Sequence, residues 1–268
     1  MGDIDQALAR AYARCGPVGE PAKLPAPHFA VDGPPAGPAD FLPLATSNPA
    51  SAAEIESDRS ATLEWPATVR ALEREHGPRF EHLADALVMA RDSSQIRSLF
   101  FTSCHRSEGR TTLVLGLARA LARRPGRTVL VDADLSGPML ARSLGLRPRY
   151  GLDDILDGSA SIADALIDAP DDHLSVLPLR SAVARPREML ASSAWSTTLA
   201  RLRRDFDQVL IDGSPLFAGL NAVALPRSID AAILVHNRKL TGDRAVLRAR
   251  EVLEAGGIPL LGLAETFV

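Results

Sequence analysis

Short, continuously apolar segments that alternate with helical patterns constrain the fold of this chain most. Segments of this kind lie at residues 98–103, 127–132, 206–212, 231–235 and 259–263, and residues 173–178 form one further candidate. Helical patterns occupy residues 111–124 and 243–255. Strands that are apolar on both faces and separated by helices are typical of a parallel sheet that is covered on both sides. The sequence therefore predicts an α/β fold with a mainly parallel sheet and helices on both faces.

The first 65 residues predict a different organisation. Apolar residues recur at helical spacing between Ile4 and Tyr12, so we expect one short amphipathic helix within residues 1–16. Nine of the thirty-three residues from 17 to 49 are proline, which removes backbone donors, and residues 17–65 are predicted to be a disordered Pro/Ala-rich linker. The segment is either a spacer or a means for the helix to dock on a partner. Residues 66–268 form the predicted globular domain, with helical patterns at 66–76 and 79–90 before the first strand.

Composition limits the classes of function. The 268 residues include 30 Lys and Arg and 33 Asp and Glu, and a formal charge of -3 predicts no bulk attraction for nucleic acid. No apolar run approaches the roughly 18 residues that span a bilayer, and the start lacks the basic and apolar stretches of a signal peptide. Neither Cys15 nor Cys104 is accompanied by other residues at the spacing of a metal site. We therefore expect a cytoplasmic protein without a disulfide.

Polar side chains stand at the ends of three predicted strands. Ser103 ends the first, Asp132 closes the second with Asp134 just after it, and Asp212 closes the third. Ligands of parallel α/β sheets bind at the carboxyl ends of the strands. We expect these residues to converge on one pocket.

The loop after the first strand is similar to a phosphate-binding loop. Gly109-Arg110-Thr111-Thr112 stands where a P-loop has Gly-Lys-Thr-Thr, between a strand and a helix. Backbone N–H groups and the positive helix end suit phosphate there. Arg110 replaces the lysine and keeps its charge without its compact geometry. The candidate phosphate-binding residues are Cys104, His105, Arg106, Ser107, Glu108, Gly109, Arg110, Thr111 and Thr112.

Three segments together resemble one protein family. Residues 102–112, 130–138 and 209–215 are similar, in this order, to the loops TSxxPGEGKST, VDxDxRxP and DYVIIDTPP of bacterial tyrosine kinases and exopolysaccharide P-loop ATPases, which are related to MinD and ParA. The resemblance runs from about Gln95 to Val268. Residues 185–192 also look like the family's NPxELLxS segment. That segment favours the polysaccharide branch over the partitioning branch.

The resemblance implies roles for individual residues. ATP and Mg²⁺ would be the cofactors, with Thr111, Asp132 and Asp212 near the metal and Asp134 as the base that accepts a proton from an attacking hydroxyl. Arg110 would stand for the lysine that contacts the phosphates. We expect Arg110 either to reach past the γ-phosphate position or to pair with Asp134 or Asp212.

Several positions depart from the family pattern. Arg106, Ser107 and Ser136 replace a proline, a glycine and an arginine, and the C-terminal tyrosine cluster of autophosphorylating members is missing. The chain has only Tyr12 and Tyr150. The family's ExxRxxR oligomerisation segment keeps only its glutamate, Glu81, and has Ala84 and Leu87 in place of the arginines. A monomer or dimer is therefore expected rather than a ring.

Three hypotheses of function follow. The first is a catalytically impaired P-loop protein that regulates exopolysaccharide or capsule biosynthesis or export through a membrane polysaccharide co-polymerase or export component, and is membrane-associated only through that partner. The second is an active ATP-dependent protein tyrosine kinase. The third is a MinD-like or ParA-like ATPase, which is disfavoured because His105 stands where its signature lysine is expected.

Overall fold

The computed structural model describes residues 60–217 and 228–266. Within these ranges seven strands form one sheet in the order β3-β4-β2-β5-β1-β6-β7. All neighbouring pairs are parallel except β3 and β4, which are antiparallel. The strands are β1 (Ser98–Ser103), β2 (Thr128–Ala133), β3 (Ile167–Ala169), β4 (Leu174–Leu177), β5 (Gln208–Gly213), β6 (Ala231–His236) and β7 (Leu260–Glu265).

Helices connect the strands and cover both faces of the sheet. They are α1 (Ala67–Ser94), α2 (Arg110–Ala122), α3 (Leu140–Ser143), α4 (Leu152–Asp157), α5 (Ile162–Ala165), α6 (Pro186–Leu190), α7 (Ser193–Asp205) and α8 (Asp243–Ala255). In α1 the two predicted helical segments join at a kink, where His76 has non-helical angles next to Pro78. None of the helices in the described ranges is long and apolar enough to cross a membrane.

The core lies in two layers, one on each side of the sheet. In β1, Leu99 and Phe101 belong to the layer under α1 and α2, and Phe100 belongs to the layer under α7 and α8. All six residues of β1 are buried. The continuous apolar run is explained by this burial on both faces, and the predicted mainly parallel α/β fold is confirmed.

Two local expectations differ from the structure. The edge strand β3 was not expected, because three residues with a single exposed position carry too short a pattern to recognise. The predicted linker also extends too far toward the domain. Leu63 and Trp65 are buried in the core, and the Trp65 indole donates a hydrogen bond of 2.8 Å to Asp172. Burial of these two apolar side chains therefore joins residues 60–65 to the domain; the predicted helix 1–16 and residues 17–59 lie outside the described ranges.

Helix α1 is tied to α2 where the family's oligomerisation segment would lie. Ala84 and Leu87 are buried, so these positions face the core. Glu81 forms ion pairs with Arg123 and Arg124 at the end of α2. Burial raises the pKa of the Glu81 carboxyl, but the guanidinium groups of the two arginines outweigh burial and hold that pKa below its ordinary value.

Candidate functional site

The sheet brings the predicted polar residues to one edge. Strand β5 lies between β1 and β2, and Asp132 is directly opposite Asp212 in the register of β2 and β5. The loop that follows β1 leads into α2, which begins at Arg110. Ser103, Arg110, Thr111, Asp134 and Asp212 contact one another there, and we call this group the phosphate-loop pocket.

Arg110 is the centre of this pocket. Its Nε donates to Oδ1 of Asp212 at 2.9 Å, one terminal nitrogen donates to Oδ2 of Asp134 at 3.0 Å, and the other donates to the Ser103 hydroxyl at 3.0 Å. Only 9% of the residue is exposed. The expectation that Arg110 pairs with Asp134 or Asp212 is confirmed, and it pairs with both.

The remaining oxygens of these two acids are also bound. The Ser214 hydroxyl donates to Oδ1 of Asp134 at 2.8 Å, and the Thr111 hydroxyl donates to Oδ2 of Asp212 at 2.7 Å. Burial raises the pKa of Asp212, and the Arg110 guanidinium and Thr111 hydroxyl oppose that shift. Both carboxylates are thus satisfied by the chain itself.

Asp132 organises the loop after β2. Its Oδ1 accepts the backbone N–H of Asp134 at 3.2 Å, and its Oδ2 accepts those of Met139 and Leu140 at 3.1 and 3.0 Å. Burial and the neighbouring Asp212 carboxylate raise the pKa of Asp132 to about 8, against the opposing effect of the backbone donors. Asp132 therefore holds Asp134 in place, and its proposed approach to a metal stays a prediction.

A buried carboxylate holds the phosphate loop in shape. Glu108 is 1% exposed; its Oε2 accepts the N–H of His105 at 2.7 Å, and its Oε1 accepts the Thr241 hydroxyl at 2.5 Å. The Thr266 hydroxyl donates to the Glu108 carbonyl at 2.7 Å. Ser107 takes a left-handed φ of 64°, a conformation that glycine adopts most easily. The loop is therefore anchored to the chain after β6 and to the end of β7.

The other loop residues divide between the core and the surface. Cys104 is fully buried, and burial with the nearby Glu108 charge raises the pKa of its thiol to about 12, so this side chain belongs to the core. His105 and Arg106 are exposed, and one Arg106 nitrogen lies 3.4 Å from Oδ2 of Asp134. Thr112 lies half-buried in the first turn of α2.

Sequence reasoning missed Ser214 and Gly213. Ser214 follows Asp212 by two residues, so its position at the same strand end was the available signal. A Cβ atom at Gly213 would lie 1.9 Å from the Phe100 ring. The Phe100 ring of β1 thus occupies the space that a side chain at position 213 would need.

The arrangement favours one cofactor group and disfavours another. The N-terminal amides of α2 have no side-chain cap and no acid in the first turn, which suits a phosphate. Magnesium needs free oxygen ligands, but Arg110 already neutralises Asp134 and Asp212. Among the described residues no three His, Cys, Asp or Glu side chains are grouped to hold a metal. In this arrangement neither Asp134 nor Asp212 offers a free oxygen to a magnesium ion, so their proposed roles near the metal require Arg110 to move and stay predictions.

Comparison with known proteins identifies relatives for this domain. No family model matches the chain. It is 28% identical over 170 residues to the tyrosine-protein kinase CpsD of Streptococcus pneumoniae, covering 63% of this chain and 75% of that protein. It is 30% identical over 169 residues to the tyrosine-protein kinase YwqD of Bacillus subtilis, covering 63% of this chain and 71% of that protein.

Solved structures give the same picture. The VpsO kinase domain superposes with a TM-score of 0.65 at 27% identity and covers 73% of this chain and 98% of that domain. MinD of Pyrococcus horikoshii, complexed with Mg-ADP, superposes with a TM-score of 0.53 at 25% identity, covering 62% of this chain and 68% of that one.

Proposed function

The chain belongs to the bacterial tyrosine kinase (BY-kinase) family of P-loop proteins, which is related to MinD and ParA, and from this we propose that it is a catalytically impaired member that regulates exopolysaccharide or capsule biosynthesis or export. It acts in this proposal as a binding module that contacts a membrane partner, and turnover of ATP is not its main task.

The double ion pair of Arg110 carries the proposal. A P-loop lysine stabilises charge on the transferred phosphoryl group, and losing one preorganised contact of this kind costs roughly 100- to 1,000-fold in rate. The guanidinium of Arg110 is instead bound to Asp134 and Asp212. Both oxygens of the proposed base, Asp134, already accept hydrogen bonds from Arg110 and Ser214, so neither is free to accept one from an attacking hydroxyl. The same contact weakens the proposed binding of ATP and Mg²⁺.

A membrane partner fits the organisation of a relative. The tyrosine-protein kinase wzc of Salmonella typhi matches over 181 residues, which is 25% of that protein, so the kinase domain is one part of a longer polypeptide there. We propose that in this protein the domain instead contacts a separate chain, a membrane polysaccharide co-polymerase or export component. It would do so from the cytoplasm, as a monomer or dimer, and without nucleic acid.

The alternative is an active ATP-dependent protein tyrosine kinase. One observation favours it: Thr111, Asp134 and Asp212 meet in one pocket, with Asp132 on the neighbouring strand. If nucleotide binding displaced Arg110 from the two acids, they would regain free oxygens.

Nucleotide binding and phosphotransfer on the purified full chain separate the two functions. We expect weak Mg-ATP binding and slow turnover for the wild-type chain. Arg110→Lys should raise ATP affinity about tenfold and raise turnover less, because Ser107 and Ser136 are unchanged. Arg204→Lys, at an exposed pair with Asp205, is the matched control and should change neither quantity.

The two outcomes are distinct in a phosphotransfer assay. Robust phosphorylation by the wild-type chain that Asp134→Asn abolishes would overturn impaired catalysis and establish the kinase alternative. Absence of turnover in the wild-type chain, with improved ATP binding by Arg110→Lys, would support the regulatory proposal.

A further inference from the structure

An open cleft of about 590 Å³ lies next to the phosphate loop. Four cationic or titratable side chains line it: His105 from the loop, Arg187 from α6, and Arg244 and Arg248 from α8. We call this group, together with the ring of Phe217, the basic cleft. Its residues come from four separate parts of the chain, so the concentration of positive charge is a product of the fold.

No acidic side chain is among the described residues that line the basic cleft. Asp243 is next to Arg244 in sequence without lining the cleft. Glu188 is next to Arg187, and its carboxylate is bound to Arg185 at 3.2 Å. Among the described residues no acidic side chain pairs with Arg244 or Arg248, so this part of the cleft presents positive charge that suits an anionic group.

The geometry of Phe217 restricts the kind of anion. Its ring is half-buried, with the His105 ring centroid 5.7 Å away and the Arg248 guanidinium 6.0 Å away. An aromatic face of this kind contributes binding through contact with another flat ring. Backbone hydrogen bonds from Phe217 to Cys104 and from Leu216 to Ser103 hold the ring beside the phosphate loop.

The two arginines of α8 are one helical turn apart and share the cleft. Residues at positions i and i+4 lie on the same helix face, so Arg244 and Arg248 can bind one group together. Guanidinium forks bind phosphate oxygens through paired hydrogen bonds. A dianionic phosphate beside a flat ring matches both features of the cleft.

We propose that the basic cleft binds a phosphotyrosine side chain of a partner protein, with its phosphate on Arg244 and Arg248 and its ring against Phe217. The open shape admits a residue that is part of a longer chain. This inference rests on the proposed regulatory function, in which the protein recognises a partner and turnover of ATP is not its main task. Arginine clusters are a recurrent way to recognise phosphorylated segments.

Binding of a fluorescent phosphotyrosine peptide to the full chain, measured by anisotropy, tests the proposal. We expect saturable binding that weakens as salt is raised, because the arginines are exposed. The same peptide without phosphate should bind at least about tenfold more weakly. Equal binding of the two peptides would overturn the proposal.

Variants locate the binding site. Arg244→Gln and Arg248→Gln should each weaken the phosphopeptide about tenfold. Arg250→Gln, on the same helix and paired with Glu254 outside the cleft, is the matched control and should leave binding unchanged. Phe217→Leu should remove the preference for phosphotyrosine over phosphoserine. Circular dichroism checks that each variant is folded, and unchanged binding by folded Arg244→Gln and Arg248→Gln would contradict the proposal.

Competition distinguishes other anions. AMP also joins a ring to a phosphate, and an Asp-rich peptide also carries negative charge. Displacement of the phosphopeptide by either at lower concentration than phosphotyrosine would overturn the assignment.

The outcome of these binding experiments is independent of catalysis. If the chain is an active kinase and binds the phosphopeptide, the inference about the cleft holds and impaired catalysis is refuted. If the chain is inactive and does not bind the phosphopeptide, impaired catalysis holds and the inference about the cleft is refuted.

Discussion

The phosphate-loop pocket and the basic cleft adjoin the same loop, yet they treat positive charge in opposite ways. In the pocket, Arg110 is 9% exposed and is bound to two carboxylates and a hydroxyl. In the cleft, Arg244 and Arg248 are exposed, and Arg248 faces the Phe217 ring. The first arginine is held by buried partners, and the other two remain exposed to solvent.

The difference follows from what water can do for a charge. A buried charge must be paired because it has lost its hydration, whereas an exposed charge keeps its hydration without a partner. The pocket is therefore expected to control the stability of the domain, and the cleft to control recognition. Three measurements test this division.

Removing an acid from the pocket should have the largest effect. Asp212→Ala leaves Arg110 buried with one partner fewer and should lower the free energy of unfolding by about 3 kcal/mol. Urea titration measures it. Asp205→Ala, which removes the acid of the exposed pair with Arg204, is the control and should give no measurable change. Equal effects of the two substitutions would remove the distinction between buried and exposed pairs.

The pH dependence of stability should show an effect of comparable size from Asp132. Its pKa is raised from 3.8 to about 8, so between these values the folded protein holds a proton that the unfolded chain has released. This contribution to stability is complete below pH about 4, decreases as pH rises, and is lost above pH about 8, with a slope of about 1.4 kcal/mol per pH unit.

Comparison with Asp132→Asn isolates that contribution, because other titrating groups remain in both proteins. Between pH 5.5 and 7.5 the wild-type chain should lose stability more steeply than the variant. The difference in slope is the measurement, since the substitution also alters hydrogen bonds to Met139 and Leu140. Identical slopes would show that Asp132 is ionised in the folded protein throughout this range.

The basic cleft should give the smallest effect on stability. The double substitution Arg244→Gln with Arg248→Gln should change the free energy of unfolding by less than about 0.5 kcal/mol, because both side chains are exposed. Thermal or urea unfolding checks this. A loss as large as that of Asp212→Ala would mean that the cleft arginines stabilise the fold, and the comparison with the pocket would fail.

The sequence by itself determined the architecture of the domain and the edge of the sheet at which the site lies. Apolar runs such as residues 98–103 are local patterns, and burial on both faces leaves them few alternatives to a central parallel strand. Asp132 and Asp212 stand at strand ends in the sequence, so their convergence follows once the strands are parallel neighbours. The helix 243–255 also matches α8 because its periodicity is contained in a single segment.

Only the tertiary structure decided which side chains at that edge of the sheet pair with one another. The sequence left Arg110 with alternatives, and distances of about 3 Å to two acids resolved them. Glu108 accepts hydrogen bonds from Thr241 and Thr266, which are 133 and 158 residues away in the sequence, so no local pattern predicts these contacts. Phe217 and Arg248 likewise meet only when β5 and α8 are packed. Strand and helix patterns express contacts between near neighbours, whereas the pairing of buried charges depends on distances that exist only after the sheet has formed.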